Sequence, residues 1–304
     1  MSSYSLDRSL KFASIDIGSN AMRLLLCRVI EGPDVSYIKE SLIRMPLRLG
    51  EDAFTTGEIS DKNIQKLKNT IHAFYLMIQA YDPLSFKSCA TAALRTASNG
   101  QAIVEEINGN VDVNLQVISG EEEARIIMSN HIEEHLDLGK HYVYVDVGGG
   151  STEISFISNK QKAFSKSFPI GSVRLLKNQI SNSEWVIMEN WVLNTRKNIK
   201  GPMEAIGSGG NINKIFSMSN RKESSKIDIT EIREILNVIE PFSVKDRIIK
   251  LGLRPDRADV IMHGGKIYES VMNWSSCKKM IVPQSGLPDG IIHDLYEKYL
   301  ITTI

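Results

Sequence analysis

YVYVDVGGGSTEISFIS, residues 142–158, is two short apolar runs joined by a glycine turn. The flanking runs carry Val, Ile, Tyr and Phe with a period of two, which is the pattern of strands, so the whole reads as a hairpin. Gly148, Gly149 and Gly150, followed by Ser151, let the backbone turn sharply and bring several N–H donors to one anion. Asp146 and Glu153 bracket the turn, which places both carboxylates near its mouth. Carboxylates beside a phosphate cradle are how a protein holds Mg²⁺, since that ion prefers oxygen ligands and phosphate together. The segment therefore reads as a site for phosphate and for Mg²⁺ or another divalent cation.

The same logic occurs earlier in the chain. In FASIDIGSNAMRLLLCRVI, residues 12–30, a short apolar strand ends at Asp16, Gly18-Ser19-Asn20 forms the turn, and Leu24 to Val29 returns as a strand. Asp16 and Asp146 stand 130 residues apart, and the two segments align as an internal duplication. One phosphate hairpin in each half predicts two similar lobes facing each other across a cleft. A dinucleotide-binding fingerprint needs its glycines to open a helix, whereas a strand follows both turns, and no GxxxxGK[ST] occurs. Rossmann dehydrogenases and P-loop enzymes are thereby set aside.

Between the hairpins, Ile64, Leu67, Ile71, Phe74 and Ile78 recur at three- and four-residue steps and predict an amphipathic helix over 60–80. Residues 88–92 and 113–118 read as strands. Ser119 with Glu122 fits a capping box that opens a helix through about residue 136. The lobe boundary is placed along that helix, giving domains 1–128 and 129–304. Farther on, strands are expected at 162–170, 204–208 and 280–283. Helices are expected from Gly171, over 183–200, from about Ile212, and over 230–239, 243–250, 257–270 and 287–300. The polar patch 217–225 is expected to be a loop. Alternating strands and helices make an α/β protein.

Composition narrows the field. The 304 residues contain 42% hydrophobic and 24% charged residues, the balance of a soluble globular protein with room for two domains. Lys plus Arg equals Asp plus Glu at 36 each, so no global field favours nucleic acid or an anionic membrane. Cys27, Cys89 and Cys277 are far apart and form neither a disulfide framework nor a zinc module, which fits a cytoplasmic location. No apolar run approaches about 18 residues and no signal pattern opens the chain, so neither membrane spanning nor secretion is expected.

Several residues carry candidate chemistry. Asp16, Asp146 and Glu153 form the candidate metal set, because a divalent cation removes the repulsion between carboxylates and phosphate. Glu121, Glu122 and Glu123 open a helix, where the helix dipole alone stabilises negative charge. Glu122 is the capping-box position and Glu121 lies in the exposed first turn, which leaves Glu123 as the candidate general base. Arg95, at a strand end, offers a bidentate fork for phosphate oxygens and otherwise reads as a surface charge. Gly207-Ser208-Gly209-Gly210-Asn211 follows a strand and opens a helix, an arrangement that suits an anion as well as a tight turn. His131-Ile-Glu-Glu-His135 has the spacing of a zinc peptidase but lacks a third ligand, so it reads as a polar helix end. Trp185, Trp191 and Trp274 read as core or interface anchors.

FASIDIGSNAMRLLL, CATAALRTASN, VISGEEEAR, YVYVDVGGGSTEISF, FPIGSVRLL, AIGSGGNINKI and RADVI occur in the order seen in the exopolyphosphatase / guanosine pentaphosphate phosphatase family, which the chain resembles over residues 12–290. That family belongs to the actin, sugar kinase and heat-shock ATPase superfamily. The resemblance implies two ribonuclease H-like (actin-like ATPase) lobes around a central cleft. It implies a Mg²⁺-assisted phosphohydrolase that releases terminal orthophosphate from inorganic polyphosphate, or the 5′-terminal phosphate from guanosine pentaphosphate (pppGpp), with no nucleic-acid or membrane partner and with homodimers common among relatives. The Glu before Ala-Arg is the family's base, here Glu123, and Asp146 and Glu153 serve the metal and the attacking water. Gly18, Ser19, Asn20, Gly148, Gly149, Gly150 and Ser151 match its phosphate loops, with Arg95 and Ser208 as further substrate-binding positions. Two departures stand out. The helical C-terminal extension of longer members does not follow Ile304, and Pro288 stands where a basic residue often follows the late Gly-Leu. A kinase of the same superfamily, or a non-catalytic polyphosphate or alarmone sensor, is the alternative reading.

Overall fold

The computed structural model describes residues 9–129, 136–137, 139–158, 161–219 and 225–303. The chain divides into two compact units, each built on one sheet. The α/β class expected from sequence holds in both.

The first unit comprises residues up to Ser119, Arg125–Asn130 and Leu287–Ile304. Its strands are β1 (Ser9–Ile17), β2 (Met22–Ile30), β3 (Ser36–Met45), β4 (Ser85–Ala90) and β5 (Leu115–Val117), in the order β3-β2-β1-β4-β5. The first three pair antiparallel, and β4 and β5 run parallel to β1. Over this sheet the helix Asp61–Tyr81 buries Leu67, Ile71, Phe74 and Ile78, as its periodicity predicts, while Ile64 is half-buried.

The second unit comprises Gly120–Ala124 and His131–Gly286. Its strands are β6 (His141–Val147), β7 (Thr152–Ser158), β8 (Gln161–Phe168), β9 (Met203–Ser208), β10 (Lys226–Asp228) and β11 (Lys279–Ile281). Their order, β10-β11-β9-β6-β7-β8, becomes that of the first sheet once it is reversed and the edge strand β10 is set aside. β6, β7 and β8 pair antiparallel, and β9 and β11 follow in parallel. The internal duplication is therefore a duplication of topology. The core gathers Val143, Val145, Ile154 and Phe156 under the helices, and Trp191 packs on the rings of Phe156 and Phe168. Trp185 meets Trp274 edge-on, so all three tryptophans serve packing.

The units correct the expected single boundary at residues 128–129. The helix Leu287–Thr303 belongs to the first unit, because its side chains meet that sheet. Tyr296 and Tyr299 pack edge-on against Phe12 of β1, and His293 stacks on Tyr37 of β3. Asp294 accepts two hydrogen bonds from Arg125, both at 2.9 Å. Pro288 opens this helix, where a missing N–H costs nothing, and its carbonyl accepts from Ser14 Oγ at 2.9 Å. β3 and the helices Leu49–Thr55 and Gly100–Asn110 carry no counterpart in the sequence reading. The His131–His135 segment and residues 220–224 of the expected loop lie outside the described residues. The three cysteines are buried, and among the described residues no helix is long and apolar enough to cross a membrane.

Candidate active site

The hairpin β6–β7 pairs Asp146 directly with Glu153. Residues opposite each other in an antiparallel pair share a face, with Cβ atoms about 5 Å apart. The row continues on both sides, since Glu153 pairs with Ser167 of β8 and Asp146 with Ser208 of β9. Ser167, Glu153, Asp146 and Ser208 thus form one polar line across four strands. Ser167 Oγ donates to Glu153 Oε1 at 2.8 Å, and Glu153 is only 2% exposed.

The turn between them is held from one side. Gly148 N donates to Ser151 O at 2.9 Å, which closes the hairpin. The carbonyls of the turn are then taken up by the segment after β8. Ser172 N reaches Gly148 O at 3.0 Å, Val173 N reaches Gly149 O at 2.9 Å, and Arg174 Nε reaches Gly150 O at 2.8 Å. Gly171 makes that approach possible, because a Cβ there would stand 2.4 Å from Gly149 O. Among the described residues the amides of Gly149 and Gly150 meet no backbone acceptor. Such an amide pair, its carbonyls already tied away, is chemically an anion cradle.

The helix Gly120–Met128 starts beside the same carboxylate. A Cβ on Gly120 would lie 2.8 Å from Ser167 Oγ and 3.7 Å from Glu153 Oε1, so only glycine allows the helix this close. Of its three glutamates, Glu121 is exposed, Glu122 half-buried and Glu123 buried. The elimination made on capping grounds therefore coincides with burial.

The third element is the turn after β9. Ser208 is buried, Gly209 adopts φ 111°, and the helix Gly210–Met218 begins there. Ser208 Oγ donates to Ser285 O at 3.1 Å. Arg257 lies across Gly210 and donates to Asn211 Oδ1 at 3.1 Å. Sequence reasoning quoted Arg257 only within a motif and gave it no role at the site. Its distance along the chain, 46 residues from Asn211, hid the contact.

The remaining expected residues belong to the first unit. The hairpin β1–β2 closes in the same way, with Gly18 N donating to Ala21 O at 3.1 Å. Its carbonyls are also capped by the segment after its third strand, Gly50 N to Ser19 O at 2.8 Å and Arg48 N to Asn20 O at 3.1 Å. Asp16, however, pairs in register with Arg23, whose Nη1 forms a 2.5 Å ion pair with it. Burial pushes the Asp16 carboxyl up from its ordinary value, and Arg23 offsets this only in part. A carboxylate whose charge is already answered by a guanidinium makes a poor metal ligand, which speaks against the metal role expected of Asp16. Arg95 Nη1 donates to Ile118 O at 2.7 Å, so it braces the chain just ahead of Ser119.

Among the described residues no three His, Cys, Asp or Glu side chains converge as a metal group. The pair Asp146 and Glu153 still suits Mg²⁺, which is commonly held by one or two carboxylates with substrate phosphates and water.

Comparison with known proteins gives the chemistry a context. Residues 41–299 match the Ppx/GppA phosphatase family. Exopolyphosphatase 1 of Mycobacterium tuberculosis is 22% identical, over 93% of this chain and 87% of its own. The guanosine-5′-triphosphate,3′-diphosphate pyrophosphatase of Photobacterium profundum is 23% identical over 94% of this chain, which spans 59% of that protein. The crystal structure of the Aquifex aeolicus Ppx/GppA family member superposes with a TM-score of 0.75 at 23% identity, covering 96% of this chain and 99% of that one.

Proposed function

The chain belongs to the Ppx/GppA phosphatase family and is a hydrolase, and from that premise we propose that it releases terminal orthophosphate from inorganic polyphosphate. The observation that carries this reading is the second-unit constellation: paired carboxylates Asp146 and Glu153 beside a glycine cradle, with the buried-Glu123 helix starting on Glu153 and Ser167. The amides of Gly149 and Gly150 and of the Ser208–Gly210 turn bind phosphate oxygens. In the first unit Gly18, Ser19, Asn20 and Arg95 are the further candidate phosphate-binding residues.

Glu123 takes a proton from water as that water attacks the terminal phosphorus in line. The bond from that phosphorus to the bridging oxygen breaks, and the electron pair leaves with the shortened chain. Asp146 and Glu153 are the residues that would hold Mg²⁺, which when bound neutralises charge on the phosphoryl oxygens. Backbone amides supply the rest of that stabilisation without reorganising.

Hydrolysis of guanosine pentaphosphate is the second reading, since a relative named for that activity matches at the same level of identity. Malachite-green phosphate release with polyphosphates of several lengths, pppGpp and ATP separates the two. Glu123→Gln should lower phosphate release by about 10³-fold while polyphosphate still binds. Release at the parental rate would remove Glu123 from the mechanism. Retained binding with no release from any substrate by the parent would favour a sensor.

A further inference from the structure

Beneath Asp146 lie two buried phenols, Tyr144 on β6 and Tyr268 on the helix Ile261–Trp274. Tyr268 has no exposed surface, and a buried hydroxyl costs free energy unless it is hydrogen-bonded. Its hydroxyl donates to the carbonyl of Ser208. A Cβ on Gly209 would lie 2.8 Å from that hydroxyl, 2.9 Å from Val147 O and 3.1 Å from Asp146 Oδ1. The phenol, the carboxylate and the turn therefore meet at one point.

The Ser208–Gly209 peptide is planar and trans, so its carbonyl and its N–H point in opposite directions. Holding the carbonyl toward the core sends the Gly209 amide the other way. We propose that Tyr268 is a positioning residue for the phosphate-binding turn: its hydroxyl pins the Ser208 carbonyl inward and thereby aims the Gly209 amide at substrate phosphate. Gly209 sits at φ 111°, a conformation that relaxes readily without such a tie. The second tie, Ser208 Oγ to Ser285 O, fixes the side chain, and the tyrosine hydroxyl is the side-chain donor to the carbonyl.

This inference rests on the proposed phosphohydrolase activity, and the experiment separates the two. Tyr268→Phe removes the hydroxyl and keeps the ring, and Tyr268→Leu removes both. An amide that binds phosphate equally in ground and transition states changes KM and leaves kcat alone. Both variants should raise KM for polyphosphate by about tenfold, the effect of one lost hydrogen bond, with kcat within about twofold of the parent. The Kd of tripolyphosphate measured by calorimetry should rise by the same factor when Tyr268→Phe is added to Glu123→Gln. A KM rise confined to Tyr268→Leu, with Tyr268→Phe at parental KM and Kd, assigns Tyr268 to packing and overturns the proposal. A parent that releases no phosphate from any polyphosphate defeats the functional reading instead. A parent that is active, with parental constants in both variants, defeats only the role of Tyr268.

Discussion

The two hairpins of this protein are the same object with one charge changed. Both run Asp, two residues to the first hydrogen-bonded glycine, a turn closed by that glycine's N–H, and a partner seven residues after the Asp. Both have their turn carbonyls capped by the segment that follows the third strand. In the first the partner is Arg23, and Asp16 is neutralised in place. In the second it is Glu153, and two carboxylates face each other. A duplicated scaffold can therefore carry opposite chemistry. The ion pair answers the Asp16 charge within the first hairpin, and the second hairpin carries two acidic residues at the equivalent positions.

This contrast can be broken at its most sensitive point by removing one of the paired charges. Glu153→Gln keeps shape and the Ser167 contact, yet should lower kcat by about 10²–10³-fold. It should also raise the Mg²⁺ concentration needed for half-maximal phosphate release. A variant with parental kcat and parental Mg²⁺ dependence would dissolve the distinction between the hairpins.

A change to the scaffold that the hairpins share should cost less. Gly171→Ala drives a Cβ to 2.4 Å from Gly149 O, and overpacking of that kind destabilises by about 1–3 kcal/mol. Chemical denaturation would show the loss, together with a raised KM. Unchanged stability and KM would mean that the capping segment does not set the turn.

The first hairpin is sharpened by Arg23→Met, which strands the charge on buried Asp16. A loss of about 2 kcal/mol is expected near neutral pH, since one partner of a largely buried pair is left alone. The folded-state carboxyl is already raised, and losing Arg23 raises it further. The deficit therefore exists while the unfolded chain holds Asp16 ionised, and it shrinks as pH falls toward the ordinary Asp range, where both states are protonated. Urea titrations at pH 4 and pH 8 would test this, and an equal loss at both would exclude the Asp16 charge as its cause.

Much of this was visible in the chain before any coordinates. The turn residues at 18–20 and 148–151, the alternation around them and the helix over 61–81 are local patterns, and they held. β3 was not visible, because an edge strand with most of Ser36–Met45 exposed has no need for strict alternation. The pairing of Asp16 with Arg23 was missed for a different reason. Sequence showed three acidic residues around two turns, and only register reveals which residue stands opposite each. The placement of the helix Leu287–Thr303 was illegible on similar grounds, since its pattern says helix but names no partner. Arg257 and Tyr268 reach the Ser208–Asn211 turn from 46 and 60 residues away, and no spacing rule covers such distances.

The return of Leu287–Thr303 to the first sheet also bears on how the protein is born. Ser14 and Pro288, which share a hydrogen bond, are 274 residues apart. On a ribosome, β1 and β2 emerge early and must wait, one apolar face uncovered, until residues 287–303 have been synthesised. The second unit, apart from the short Gly120–Ala124 piece, is continuous from His131 to Gly286 and meets no such delay. Long-range closure of this kind slows folding. The later-translated unit should thus be the first to mature, and the early strands are where a nascent chain most needs protection.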